Sequence, residues 1–269
     1  MNMESSQEQP TARQYLDGLA SSGRYLFSSA EARDALGVSA AAAKVALNRL
    51  AKQGLVASPA RGFYVVVPPE YRSLGCLPAD QFVPALMERL GLRYYVGLLT
   101  AAQLHGAAHQ RPQEFQVFLE RTRRPVLCRR VRVAFFIRKR LRDVPVQTLN
   151  TPRGTLILST PEATALDLVG YQHRAGGLNQ VATVLAELSE RLDAAKLVTA
   201  AATAPVPWAQ RLGFLLERVG ASEKAAPLKA WVRSHARDSA VLLPEASRDD
   251  ATRDAVWKLY LNATVEPDL

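Results

Sequence analysis

The stretch "YLFSSAEARDALGVSAAAAKVALNRLAKQGLVASPARGFYVVVP", residues 25–68, decides the fold of the N-terminal part. Ser28 or Ser29 can cap a helix over about 29–36, with Glu31 in its first turn and Gly37 at its end. Ser39 then caps a second helix, about 40–53, which ends at Gly54. Ala43, Ala46, Leu47 and Leu50 recur at helical spacing and form its inward stripe. Leu55 and Val56 precede a turn through Ser58, Pro59, Arg61 and Gly62, and the β-forming run Phe63 to Val67 closes the unit as a hairpin. An upstream helix over about 11–21 completes a three-helix core.

Helix, short turn, helix and hairpin are the order of a winged helix-turn-helix, whose second helix enters the DNA major groove. Ser39, Ala41, Ala42, Lys44, Asn48, Arg49 and Lys52 are the candidate DNA-binding residues of that helix, and Arg61 is the candidate at the hairpin tip. The small alanines permit close approach, with apolar contact to thymine methyls, while Lys44 and Asn48 can reach bases or phosphates. The competing reading is a winged helix used for protein contacts alone, since this helix is poor in arginine.

The net charge of +9 favours an acidic partner, nucleic acid before membrane. Its distribution is uneven. Residues 1–67 carry +2, 68–110 carry zero, 111–142 carry +9 and 143–269 carry −2. The excess therefore lies in one middle segment containing "RTRRPVLCRRVRVAFFIRKRLR", residues 121–142. Arg121, Arg123, Arg124, Arg129, Arg130, Arg132, Arg138, Lys139 and Arg140 form the candidate basic surface. As a strand, this segment would set several arginines on one face for phosphate contact, on DNA beside the operator or on RNA. The alternative is a solvated sheet face balanced by acids from the C-terminal helices.

Residues 68–76 are rich in turn formers and read as a connector. The expected division is a winged helix at 1–67, a connector at 68–76 and an α+β domain at 77–269. Helices are expected at about 79–90 and 94–108. Four strands follow, around 115–119, 128–139, 144–149 and 154–160. Helices at about 161–170, 178–190, 193–202, 207–219 and 223–235 then lead to one last strand and tail from 255. The fold class is thus α+β, a winged helix followed by a larger domain with a small mixed or antiparallel sheet and a helical C-terminal part.

The segments "GFYVVVPPEYRSLG", "YYVGLLTAAQLHGAAHQRPQEFQV", "TPEATALDLV", "RLGFLLERVG" and "WKLYLNATVEPDL", in this order, make the chain resemble the AbiEi-type antitoxins. The resemblance implies a winged-helix repressor fused to a domain that counters a toxin, usually a nucleotidyltransferase encoded beside the antitoxin. It implies a type IV pair, in which no stable antitoxin–toxin complex is required, and repression of the antitoxin's own operon through inverted repeats in the promoter. A monomer in solution that binds DNA cooperatively fits this picture.

Other chemistries are poorly supported. His105 and His109 stand four apart, but a zinc site needs at least three protein ligands and no HExxH motif is present. His105 is expected to hydrogen-bond inside the domain and His109 to help end its helix. No Walker, nucleophile-elbow, dinucleotide or kinase pattern occurs. Glu162 follows Pro161 at a helix start, where capping and the dipole favour a carboxylate, and Asp167 stands five positions on. Neither an enzyme activity, a metal nor a cofactor is expected. Cys76 and Cys128 form no CxxC pattern. A polar N-terminus and the lack of a long apolar run point to a cytoplasmic protein with no membrane partner. The alternatives are a ligand-responsive winged-helix transcription factor unrelated to a toxin and a degenerate nuclease targeted by a winged helix.

Overall fold

A computed structural model describes residues 9–107 and 112–267. The chain begins with α1 (Ala12–Ser21), β1 (Leu26–Ser28), α2 (Ser29–Leu36), α3 (Ala40–Lys52), β2 (Val56–Ala60) and β3 (Phe63–Val66). Capping fixes the helices. Thr11 and Gln14 form a capping box on α1, and Ser28 and Glu31 form another on α2. Gly37 ends α2 in the left-handed region at φ 61°, which a residue without Cβ adopts at no steric cost. The strands lie in the order β1-β3-β2, antiparallel throughout. The expected hairpin thus gains a third strand, β1. Three residues are too few to show a period, which is why the sequence conceals it. Leu16, Leu19, Phe27, Ala32, Leu47, Leu50, Val56 and Val66 make the core. Phe27 lies between Tyr15, edge-on, and Tyr64, stacked, with both pairs of ring centroids 5.6 Å apart.

The chain continues through α4 (Ala79–Arg89), β4 (Tyr95–Val96), α5 (Leu98–Leu104), β5 (Phe115–Leu119), β6 (Val126–Cys128), β7 (Val131–Ile137), β8 (Val146–Thr151) and β9 (Gly154–Ser159). Two expectations need correction here. The helix expected over 94–108 starts only at Leu98, because Tyr95 and Val96 pair with Phe118 and Val117 as strand. Gly97 turns the chain where an added Cβ would lie 2.6 Å from the Phe118 ring. The strand expected over 128–139 is half of a hairpin: β6 and β7 pair antiparallel around a turn at Arg129, whose φ is 57°. After β9 come α6 (Pro161–Gly170), α7 (Gly177–Leu188), α8 (Ala194–Ala201), α9 (Val206–Arg218) and α10 (Ser222–His235). The end holds β10 (Ala240–Val241), β11 (Thr252–Asp254) and β12 (Leu259–Leu261) in a small sheet of order β10-β12-β11, where one strand was expected.

The chain forms two compact units. The first contains residues 1–93, 123–134 and 150–155; the second contains 94–122, 135–149 and 156–269. Helix α4, expected in the larger domain, therefore belongs with the winged helix. In the second unit β5, β4 and residues 156–159 of β9 follow one another in a mixed sheet, with β4 antiparallel to β5 and parallel to β9. Its core joins Tyr95 and Phe118 of the sheet to Leu166, Leu185, Leu212, Leu228 and Trp257. Trp257 is wholly buried, and its indole N–H donates to Glu217 at 2.8 Å. Gly213 makes room for it, since a Cβ there would lie 2.0 Å from the ring.

Candidate nucleic-acid interface

In α3, Ala43, Leu47 and Leu50 are buried, while Ala41, Ala42, Lys44, Val45, Asn48, Arg49 and Lys52 are exposed. At about 100° per residue, Ala41, Lys44, Val45, Asn48 and Lys52 fall within a sector of about 100°. Arg49 and Ala42 lie on one flank of that sector. Ser39 has a task of its own, since its hydroxyl accepts the Ala42 N–H at 3.2 Å and so fixes where α3 begins. Val45 is the residue sequence reasoning missed. It is 51% exposed at the edge of that sector beside Arg49, and its place off the stripe of Ala43, Leu47 and Leu50 was the available signal.

The helix is held in place from several sides. Burial alone would raise the Glu31 carboxyl of the α2 cap, but hydrogen bonds from the Ser28 N–H and hydroxyl and the Arg24 guanidinium hold it below the ordinary value. In the wing, Pro59 offers no N–H and the β2–β3 register shifts between Ala57 and Ala60. The Ser58 hydroxyl closes this irregularity by donating to the Phe63 carbonyl at 3.0 Å. Arg61 is exposed at the tip, and Gly62 supplies the φ of 71° that the two-residue turn requires.

The basic segment divides between the units. Arg123, Arg124, Arg129, Arg130 and Arg132 belong to the first, as does Arg153. Residues 123–134 hold five arginines and no acid. Together with Arg153 and with the ten basic and eight acidic residues in 1–93, they bring the first unit to +8 and leave +1 for the second. The Arg129 guanidinium donates to the Ala51 carbonyl at 3.1 Å, in the last turn of α3, where the helix dipole favours a cation. Arg124, Arg130 and Arg132 are exposed and Arg123 is half-buried. Arg132 stands opposite Leu127, which is 65% exposed on the same side of the hairpin. Arg153 enters the first unit's interior, 3.8 Å from the Tyr25 ring and 2.5 Å from the Gln81 side-chain oxygen.

Arg121, Arg138, Lys139 and Arg140 lie in the second unit. Arg121, Lys139 and Arg140 are exposed, and Arg140 pairs with Asp143 at 2.7 Å. Arg138 is not a surface residue, which corrects its assignment to the basic face. It is 4% exposed, pairs with the fully buried Asp167 at 3.2 Å and lies 4.6 Å from the Trp208 ring. The Tyr95 hydroxyl donates to the other Asp167 oxygen at 2.8 Å. Burial raises the Asp167 carboxyl to about 6, and Arg138 and Tyr95 offset only part of that rise. Glu162 accepts the Asp193 N–H at 3.0 Å, while Thr160 caps α6.

His105 is buried, with Nε2 at 2.8 Å from the Ser159 carbonyl. Burial lowers its imidazole, and the neutral ring donates to that carbonyl. His109 lies outside the described residues. Among the described residues no three His, Cys, Asp or Glu side chains gather as a metal site. Nor is any helix among them long and apolar enough to cross a membrane.

Comparison with known proteins assigns the two parts separately. The family described as "Transcriptional regulator, AbiEi antitoxin" matches residues 14–67, the winged helix. The family described as "AbiEi antitoxin C-terminal domain" matches residues 95–218. No curated protein matches the chain. The crystal structure of the RV2827C protein from Mycobacterium tuberculosis shares the fold, with a TM-score of 0.69 over 94% of this chain and 92% of that one, at 17% identity. With regulator and antitoxin matches in the family's order over most of its length, the chain belongs to the AbiEi antitoxins.

Proposed function

We propose that this protein is the antitoxin and autorepressor of a toxin–antitoxin pair, that α3 reads inverted repeats in its own promoter, and that the toxin it counters is a nucleotidyltransferase. The observation that carries the reading is the uncovered face of α3, with Ala41, Lys44, Val45, Asn48 and Lys52 side by side on a helix fixed by its cap and its wing. Asn48 has the donor and acceptor that match an adenine edge, and Val45 and Ala41 suit thymine methyls. Lys44, Lys52 and Arg61 supply phosphate contacts, and Arg124, Arg130 and Arg132 extend them from the same unit. Repression would then reside in the first unit and antitoxicity in the second. The toxin is countered without a stable complex, and the protein occupies its operator cooperatively.

The test is binding of the full chain to its own upstream DNA by gel shift and fluorescence anisotropy. Lys44→Ala with Asn48→Ala should weaken operator binding tenfold or more, from about 1–3 kcal/mol per base contact, with an unchanged circular dichroism spectrum. Unchanged affinity and sequence preference would remove α3 from the reading role. Co-expression with the adjacent toxin from a foreign promoter separates the second activity. There the double variant should still rescue growth, and failure to rescue would tie protection to DNA binding.

A further inference from the structure

The chain's only two cysteines, Cys76 and Cys128, are 52 positions apart in sequence. In the first unit they face each other. The Arg130 N–H donates to the Leu74 carbonyl at 3.2 Å, and the Arg129 side chain covers Gly75, where an added Cβ would lie 2.9 Å from the Arg129 Cγ. These two contacts lay the turn at 74–76 against the turn that follows β6, with Cys76 next to Gly75 and Cys128 next to Arg129. Their thiols are free and share a hydrogen bond. Each cysteine is one residue from that contact, and thiols that share a hydrogen bond are within the reach over which a disulfide can close.

We propose that Cys76 and Cys128 are a redox pair that closes a reversible intramolecular disulfide when the protein meets hydrogen peroxide. The surroundings assign the roles. Cys128 accepts a hydrogen bond from Cys76, has the Arg129 charge beside it and takes the Ser58 N–H, so its thiol lies below the ordinary value. The hydrogen bond to Cys128, together with burial, pushes Cys76 up. The Cys128 thiolate therefore attacks one peroxide oxygen. The O–O bond breaks, Cys128 becomes a sulfenic acid, and the departing hydroxide takes the proton that Cys128 released. The Cys76 sulfur then displaces the sulfenic oxygen as a second water, and the S–S bond forms. Two thiols are oxidised by two electrons, and one peroxide is reduced to two waters.

Burial does not forbid the first step. Cys128 ends a three-residue strand beside a turn, and local opening of so short a stretch exposes the sulfur. The bond has a structural effect. The chain leaves the first unit after Arg93 and returns at Arg123, so a Cys76–Cys128 link fastens the returning hairpin covalently to the unit that holds the winged helix. The Cys128 sulfur also receives the Ser58 N–H of β2, so the reaction takes place against the wing.

The experiment uses the full reduced chain with hydrogen peroxide. The expected result is loss of both thiols without dimerisation, a mass loss of two hydrogens, a cross-linked peptide joining Cys76 to Cys128, and full reversal by dithiothreitol. Cys76→Ser should stop at a sulfenic acid on Cys128 that dimedone traps, and Cys128→Ser should leave Cys76 unoxidised. Amide exchange across residues 123–134 should slow tenfold or more in the oxidised protein. If the folded wild type keeps both thiols at a peroxide dose that oxidises the urea-unfolded chain, or gives mainly intermolecular disulfides, the proposal is overturned. A disulfide that leaves amide exchange unchanged would overturn the fastening role.

Discussion

Replacing Asp167 by Asn should abolish a fall in stability that the wild type shows as pH rises. Asp167 is fully buried between Arg138 and Tyr95, and its carboxyl titrates at about 6 instead of the ordinary 3.8. A folded-state value above the unfolded one means that the fold binds this proton more tightly. The stability it contributes is complete below about pH 3.8 and is lost as pH rises through about 6. At about 1.36 kcal/mol per pH unit the whole loss is about 3 kcal/mol, of which about 2 kcal/mol falls between about pH 4.5 and pH 7.5. Asn keeps the shape and an acceptor for Tyr95 but has no proton to release. The assay is urea unfolding of both proteins across this range, followed by tryptophan fluorescence. The wild-type stability minus that of the variant should decline by about 2 kcal/mol, with the other titrating groups cancelling in the difference. A difference that stays constant or grows with pH refutes the reasoning, because the Arg138 charge would then outweigh burial and hold the carboxyl low. The same geometry excludes Arg138 from charge-reversal tests of nucleic-acid binding, since a buried carboxylate there would face Asp167.

Gly213→Ala should cost about 3 kcal/mol by urea titration, because the new methyl would meet the Trp257 ring, although Ala is the better helix former by about 1 kcal/mol; stabilisation would show that the ring does not pack there. Ser28→Ala removes the α2 cap and should lower the stability of the first unit by about 1 kcal/mol in thermal melts, with no loss pointing to a cap supplied elsewhere. Arg130→Ala with Arg132→Ala should reduce the slope of log affinity against log salt on operator DNA by about 2, and an unchanged slope would take the β6–β7 hairpin off the phosphate backbone.

The winged helix was legible because its signals are local. Ser28, Gly37 and Ser39 mark the helix ends, and Ala43, Leu47 and Leu50 mark the inward side. Strands β1 and β4, of three and two residues, are defined by partners far along the chain and carry no period of their own. The turn at Arg129 was hidden because a left-handed conformation is normally announced by Gly or Asn. Arg138 continues the spacing of exposed arginines, and only the burial of Asp167, 29 positions later, makes it an interior residue. The segments that carry the family resemblance meet in space, Tyr95 with Asp167 and Gly213 with Trp257. Their weak individual signals thus record packing partners, whereas the exposed face of α3 was readable from helical spacing alone.

The first unit is assembled from three lengths of chain that end at residues 93, 134 and 155. This sets a timetable for its birth on the ribosome. At about 5–20 residues per second, the arginine hairpin and Arg153 emerge roughly 3 to 17 seconds after the last residue of the winged helix core. A nascent chain therefore owns α3 before it owns most of its positive charge, and Tyr25 and the Ala51 carbonyl wait for arginines not yet translated.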